Sequence, residues 1–232
     1  MLATHLKGEK VLIFIYRYDI LNMTRCVMRI IMYKKSHQEQ FETKTGLTVH
    51  VRPLMAEDAP YLVDLFENMG SESRYNRFLQ PADNISIDLV WTEAENIARQ
   101  TIGENFGLVA FADTDERSEV PVAAARYVKH SSKQAEIAVS VRDDMQRIGI
   151  GSELLRLLIR RAEENGIDHL VGTIQNSNAA MWALMKKLDL RVEKQPEGSY
   201  SSVIIHVNES DSRREDWLDT AADYSPEPQI IW

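Results

Sequence analysis

The sequence predicts an α/β (α+β) domain, and two observations carry that prediction. Between Gly46 and Val207, short alternating apolar runs are interleaved with segments whose apolar residues recur at helical spacing. Both patterns meet in residues 134 to 165. There the alternating Ile137, Val139 and Val141 lead through Gln146-Arg147-Ile148-Gly149-Ile150-Gly151 into a helical stripe of Ile150, Leu154, Leu157, Leu158 and Ala162. A strand that passes through a glycine turn into a helix start points several N–H groups the same way, at the positive end of a helix dipole. That is the local geometry that binds a phosphate.

Taken in order, Leu47, Val49 and Val51 alternate as a first strand that stops at Arg52-Pro53. Leu62, Leu65, Phe66 and Met69 mark one face of a helix, with Glu57, Asp58 and Pro60 near its start and Gly70 at its end. Ser71 caps a short second turn, SESRYNRF, before Pro81. A further helix begins near Ser86, buries Val90, Ala94, Ile97 and Ala98, and stops by Gly103. FGLVAFA (106–112) and VPVAAARYV (120–128) flank a polar turn and read as a hairpin. Residues 135–142 form the next strand, and Asn165-Gly166 ends the long helix that follows as a left-handed cap. His169 to Ile174 is a strand, Met181, Leu184, Met185 and Leu188 give a last helix, and Arg191–Lys194 and Ser201–Val207 are two final strands.

The ends differ from this domain. Residues 1–45 hold eight Lys/Arg against four Asp/Glu, a net +4, so the rest of the chain carries −12 of a total of −8. VLIFIY at 11–16 is too short to span a bilayer, and Arg17, Asp19, Arg25 and Arg29 interrupt any extension, so no membrane association is expected. The segment is either an appended strand and helix or translated sequence upstream of the true start, with Met23, Met28 or Met32 as initiator. The abrupt change of composition near Tyr33 favours the second reading. Acids, serines and prolines predominate over 208–232, which reads as a disordered acidic tail. The domain proper is therefore expected at 46–207.

Composition narrows the function. The single Cys26 excludes an internal disulfide framework and suits a cytoplasmic protein. No His, Cys and carboxylate cluster has metal-ligand spacing, so no metal is expected. A net charge of −8 without a basic stripe argues against nucleic acid, and it favours the approach of a cationic acceptor such as an amine.

The glycine turn has neither the three glycines of a dinucleotide fingerprint nor the Gly-Lys-Ser/Thr of a nucleoside-triphosphate loop. What stands here, Gln146-x-x-Gly149-x-Gly151 between a strand and a helix, closely resembles the acyl-CoA pyrophosphate loop of the GNAT superfamily of N-acyltransferases. The element order over 46–207 resembles the fold of that family, which implies a single domain with a mixed central sheet flanked by helices. VRPLMAEDAPYLVDLF, SESRYNRF and AEIAVSVRDDMQRIGIG look like the bacterial protein lysine acetyltransferases that act on acetyl-CoA synthetase.

The resemblance implies acetyl-CoA as cosubstrate. Its pyrophosphate would lie against the backbone of Gln146, Arg147, Ile148, Gly149, Ile150, Gly151 and Ser152. Its pantetheine arm would bond Val139 and Val141 like an added strand, and Asn178 would contact it at the start of the last helix. An attacking amine must first lose a proton, and a carboxylate can take it once desolvation brings its pKa toward neutrality. Glu136, on one strand face with the small Ala138 and Ser140, is the candidate base, and it matches the glutamate that serves in that subfamily. Many members carry a tyrosine acid where this chain has Met185. Arg74, Tyr75, Arg77 and Phe78 fall on the segment that lines the acceptor side. The expected activity is acetyl transfer to a protein lysine. A small polyamine-like amine, or a silent acyl-CoA-binding module, are the alternatives.

Overall fold

The computed structural model describes residues 38–209 other than positions 102 and 116. The readings of the basic N-terminal segment up to residue 37 and of the tail from residue 210 lie outside the described residues. Eight strands form one mixed sheet. They are β1 (Glu39–Glu42), β2 (Thr48–Pro53), β3 (Phe106–Ala112), β4 (Val120–Lys129), β5 (Gln134–Val141), β6 (His169–Gln175), β7 (Val192–Glu197) and β8 (Tyr200–His206), in the order β1-β2-β3-β4-β5-β6-β8-β7. Neighbours from β2 to β5 are antiparallel, as are β6, β8 and β7, and the junction of β5 with β6 is parallel. The helices are α1 (Ala59–Glu67), α2 (Ser71–Phe78), α3 (Ile87–Gln100), α4 (Ile150–Glu164) and α5 (Ala179–Met185). This is the mixed, helix-flanked sheet that the sequence predicts.

Side-chain alternation divides the core between the two faces. Leu108, Ala110 and Ala112 of β3 join Val51, Ala123, Ala125, Tyr127 and the apolar stripe of α4 in the main cluster. Their neighbours Val109 and Phe111 point the other way, toward Leu54, Tyr61, Leu62 and Ile97. Helix α4 thus packs on β3, β4 and β5 from one side, while α1 and α3 pack on each other and on the opposite face. The long α4 forms because Ile150, Leu154, Leu155, Leu157, Leu158, Ile159 and Ala162 are all buried on one stripe.

Two local readings need correction. A strand, β1, precedes Gly46, where the regular pattern begins. SESRYNRF is an eight-residue helix, capped by the extended Gly70 rather than by Ser71. The third helix ends at Gln100, before Gly103 as expected, and Ser86 caps its start, its Oγ accepting from Leu89 N at 3.4 Å.

Candidate active site

The site begins where two strands part. β5 pairs with β6 only at Gln134–His169, Ala135–Leu170 and Glu136–Val171, although β5 continues to Val141 and β6 to Gln175. Its other edge stays paired with β4 as far as Val141. Peptide groups alternate along a strand. Arg142 N donates to Val122 O of β4 at 3.0 Å, whereas a Cβ placed on Gly172 of β6 would lie 3.8 Å from Ile137 O. Odd-numbered residues of β5 therefore turn their peptide groups toward the opening, and Val139 and Val141 line it.

At the end of β5 the chain turns into α4. Arg147 adopts φ +64° and Gly149 φ +112°, the latter as N-cap of the helix. No side chain caps α4, so the first-turn amides of Ile150, Gly151 and Ser152 meet no side-chain acceptor there. A Cβ on Gly151 would sit 3.4 Å from Val141 Cγ2, narrowing the turn where strand and helix meet. Ile148 O accepts from Lys44 N at 3.0 Å. Positive φ, small residues and uncapped amides suit a diphosphate.

Two predicted contacts have structural work of their own. Gln146 Nε2 lies 3.1 Å from Ser73 Oγ, 3.2 Å from Val141 O and 3.1 Å from Asp143 Oδ1, so this side chain ties the loop to α2 and to β5. Asn178 Oδ1 accepts from Met181 N at 3.0 Å and caps α5. Met185, where a tyrosine acid would stand, is 2 % exposed within the main core.

Glu136 stands at the last paired position of β5, beside the opening, with 62 % of its side chain exposed. The desolvation expected of a base is not supplied by the protein's own atoms. His130 Nε2 approaches it at 3.1 Å, a partner that no sequence pattern announces, because the two are joined by the turn between β4 and β5.

Even-numbered residues of β5 face a cleft of about 500 Å³, counting the part open to solvent. Ala138 and Ser140 line it with Leu62, Phe66, Arg77, Phe78 and Arg126. Ala138 and Ser140 are small, as the sequence requires for a bound group. Burial, and then the nearby Arg126, push the Arg77 guanidinium down to about 10, against the pull of Glu136 and Glu93. Burial likewise lowers Arg126. Of the other residues on α2, Arg74 stacks over Phe66 at 4.2 Å, and Tyr75 shares a 2.9 Å hydrogen bond with Tyr200. Among the described residues, no group of three or more His, Cys, Asp or Glu is placed to hold a metal ion.

An uncapped glycine turn after a strand that parts from its neighbour is a site shaped for a phosphate-bearing ligand. The family model for the acetyltransferase (GNAT) domain matches residues 48–191, and the chain belongs to that family. It is 28 % identical over 149 residues to acetyltransferase Pat of Mycolicibacterium smegmatis, covering 63 % of this chain and 42 % of that protein. The chain thus spans less than half the length of this relative. Among solved structures, the GNAT domain of S. lividans PAT superposes with a TM-score of 0.59 at 24 % identity, covering 73 % of this chain and 96 % of that one. The yncA protein of Salmonella typhimurium, solved with acetyl-CoA, gives 0.51 at 20 % identity over 69 % and 95 %. At these identities the two structures establish the fold.

Proposed function

We propose that the protein transfers an acetyl group from acetyl-CoA directly to an amine, and that the acceptor is a lysine side chain of a protein. The observation that carries this reading is the parting of β5 from β6 just ahead of the uncapped turn at Gly149, with Glu136 at the point where the strands separate. The resemblance of VRPLMAEDAPYLVDLF, SESRYNRF and AEIAVSVRDDMQRIGIG to the bacterial protein lysine acetyltransferases supports a protein acceptor.

In this reading the amides from Gln146 to Ser152 hold the pyrophosphate, and the peptide groups of Val139 and Val141 align the pantetheine arm. Asn178 contacts it at α5 through groups its cap leaves free. Glu136 takes the proton from the acceptor ammonium, directly or through a water, once the acceptor has covered it and removed its solvent. The amine nitrogen bonds to the thioester carbonyl carbon, an amide near Val139 donates to the developing oxyanion, and the carbon–sulfur bond breaks as the nitrogen releases its second proton to water. Met185 cannot donate a proton, so the sulfur leaves as thiolate. With an ordinary thiol pKa of about 8.5, that is a tolerable leaving group near neutral pH.

The test is thiol release from acetyl-CoA with panels of lysine-bearing proteins and of polyamines, for the wild type and Glu136→Gln. Glu136→Gln is expected to lose about a hundredfold or more in kcat while binding CoA normally. Turnover with polyamines alone would replace the protein acceptor by a small one. An unchanged rate in Glu136→Gln would remove it as the base.

A further inference from the structure

Arg77 and Arg126 present an electrostatic problem that the acetyl-transfer reading does not use. They come from different elements, α2 and β4, and converge on the face of the sheet that holds Ala138 and Ser140. The walls around them are apolar, including Leu62, Phe66 and Phe78. Among the described residues Arg77 makes no hydrogen bond and no ion pair within 4.0 Å, and its ring contact is with Phe78 at 5.2 Å. Arg126 has a neutral partner, Gln100 Oε1 at 3.3 Å. Glu93 and Glu136 act on both arginines only through the longer-range field.

Two guanidinium groups of like charge in a partly desolvated cleft are unfavourable unless an anion joins them. A guanidinium fork is also the side chain best matched to a carboxylate. Position matters as much as charge. In the β4–β5 register Arg126 stands opposite Ala138, and Val128 opposite Glu136, so Arg126 is the diagonal neighbour of Glu136 on one face. Arg126 and Glu136 therefore stand about 7–8 Å apart on one face, so a molecule with its carboxylate on the arginines can present its amine to Glu136.

We infer that the acceptor is an amine that also carries a carboxylate, received by Arg77 and Arg126. Two sources share that chemistry: a free α-amino acid, and a lysine followed by an acidic residue. The inference rests on the acetyl-transfer reading for which side of the sheet the acceptor enters. It resolves how a cleft with two cations admits an amine, since the carboxylate cancels the charge that would otherwise repel an ammonium.

The experiment is calorimetric binding to the full chain saturated with CoA, using two matched pairs. One pair is leucine and leucinamide. The other is the capped dipeptide Lys-Glu and its Lys-Gln counterpart. The acid of at least one pair is expected to bind about tenfold or more tightly than its amide, and the pair that discriminates identifies the source. Arg77→Met and Arg126→Met should each abolish the difference, and Arg77→Lys should restore part of it. Thermal unfolding of each variant checks that it folds, and Arg77→Lys keeps the test valid if one methionine variant does not. Equal binding of acid and amide in both pairs overturns the inference, as does a preference that survives in both methionine variants. A clear acid preference without thiol release on any amine would sink the transfer reading and leave the arginine pair as a carboxylate-binding site only.

Discussion

The backbone amide of Gly70 donates to Asp143 Oδ2 at 2.9 Å, joining the start of α2 to the turn that precedes the glycine loop. One helical turn on, Ser73 Oγ meets Gln146 Nε2 at 3.1 Å. The helix that brings Arg77 to the cleft is thus fastened twice to the segment that runs into α4. A Cβ on Gly70 would fall 2.8 Å from Asp143 Oδ2, although the φ of −73° suits any residue. Gly70→Ala is therefore expected to break this hydrogen bond and cost about 1–2 kcal/mol. It should also raise KM for both acetyl-CoA and acceptor, because one tether serves both sides. Thermal unfolding and two-substrate kinetics check this, and Asp143→Asn, which leaves one acceptor oxygen for two donors, Gly70 N and Gln146 Nε2, should lose part of the same stability.

Main-chain recognition of the pyrophosphate has a separate signature. Gly149 sits at φ +112°, beyond what an L side chain adopts comfortably, while Arg147 already occupies the left-handed region at φ +64°. Gly149→Ala should strain the turn by about 1–2 kcal/mol and lower CoA affinity about tenfold. Arg147→Ala removes a charge without moving an amide, and should leave CoA affinity within about threefold. A loss in Arg147→Ala equal to that in Gly149→Ala would mean that the guanidinium, rather than the backbone, holds the phosphates.

Periodicity made most of this architecture legible. Every strand from β2 onward lies within a few residues of its sequence-based position, because alternation with one or two buried faces leaves little freedom of register. The β1 strand, Glu39–Glu42, was not legible, since four residues with a single apolar side chain, Phe41, carry no period. SESRYNRF hides its helix for a related reason. None of its residues is fully buried, and it is fastened by Gly70 and Ser73 to a loop some seventy residues on. The strand, glycine turn and helix start were readable as a phosphate cradle from local geometry alone. The convergence of Arg77 with Arg126 and the pairing of Glu136 with His130 were not, because contacts across elements or around a turn leave no spacing to read.

A buried ion pair shapes the cleft from its far wall. Asp58, 1 % exposed, receives the fork of Arg52 at 2.5 and 3.0 Å and the amide of Met55 at 2.8 Å, and Arg52 lies 4.9 Å over the ring of Phe111. This arrangement fixes the turn from β2 into α1 and with it Leu54, which lines the cleft. Asp58→Ala would leave a largely buried guanidinium without its counter-charge. The expected loss is about 3–5 kcal/mol, read as a lower urea midpoint at an unchanged m-value. A loss below about 1 kcal/mol would show that the turn holds without the pair.

The two cleft arginines make an opposite stability prediction. The cleft disfavours the charge on Arg77, chiefly because the side chain is partly desolvated there and then because Arg126 is near. A guanidinium nevertheless stays charged at neutral pH, so that cost is present in full. Replacing it with an uncharged side chain of similar length removes the cost, so Arg77→Met should raise stability at pH 7 by on the order of 1 kcal/mol. Chemical denaturation of both proteins at pH 7 measures the difference directly. A residue that only supports packing would destabilise when replaced. A gain in stability accompanied by loss of the carboxylate preference is instead the pattern of a group retained for binding at a cost to the fold.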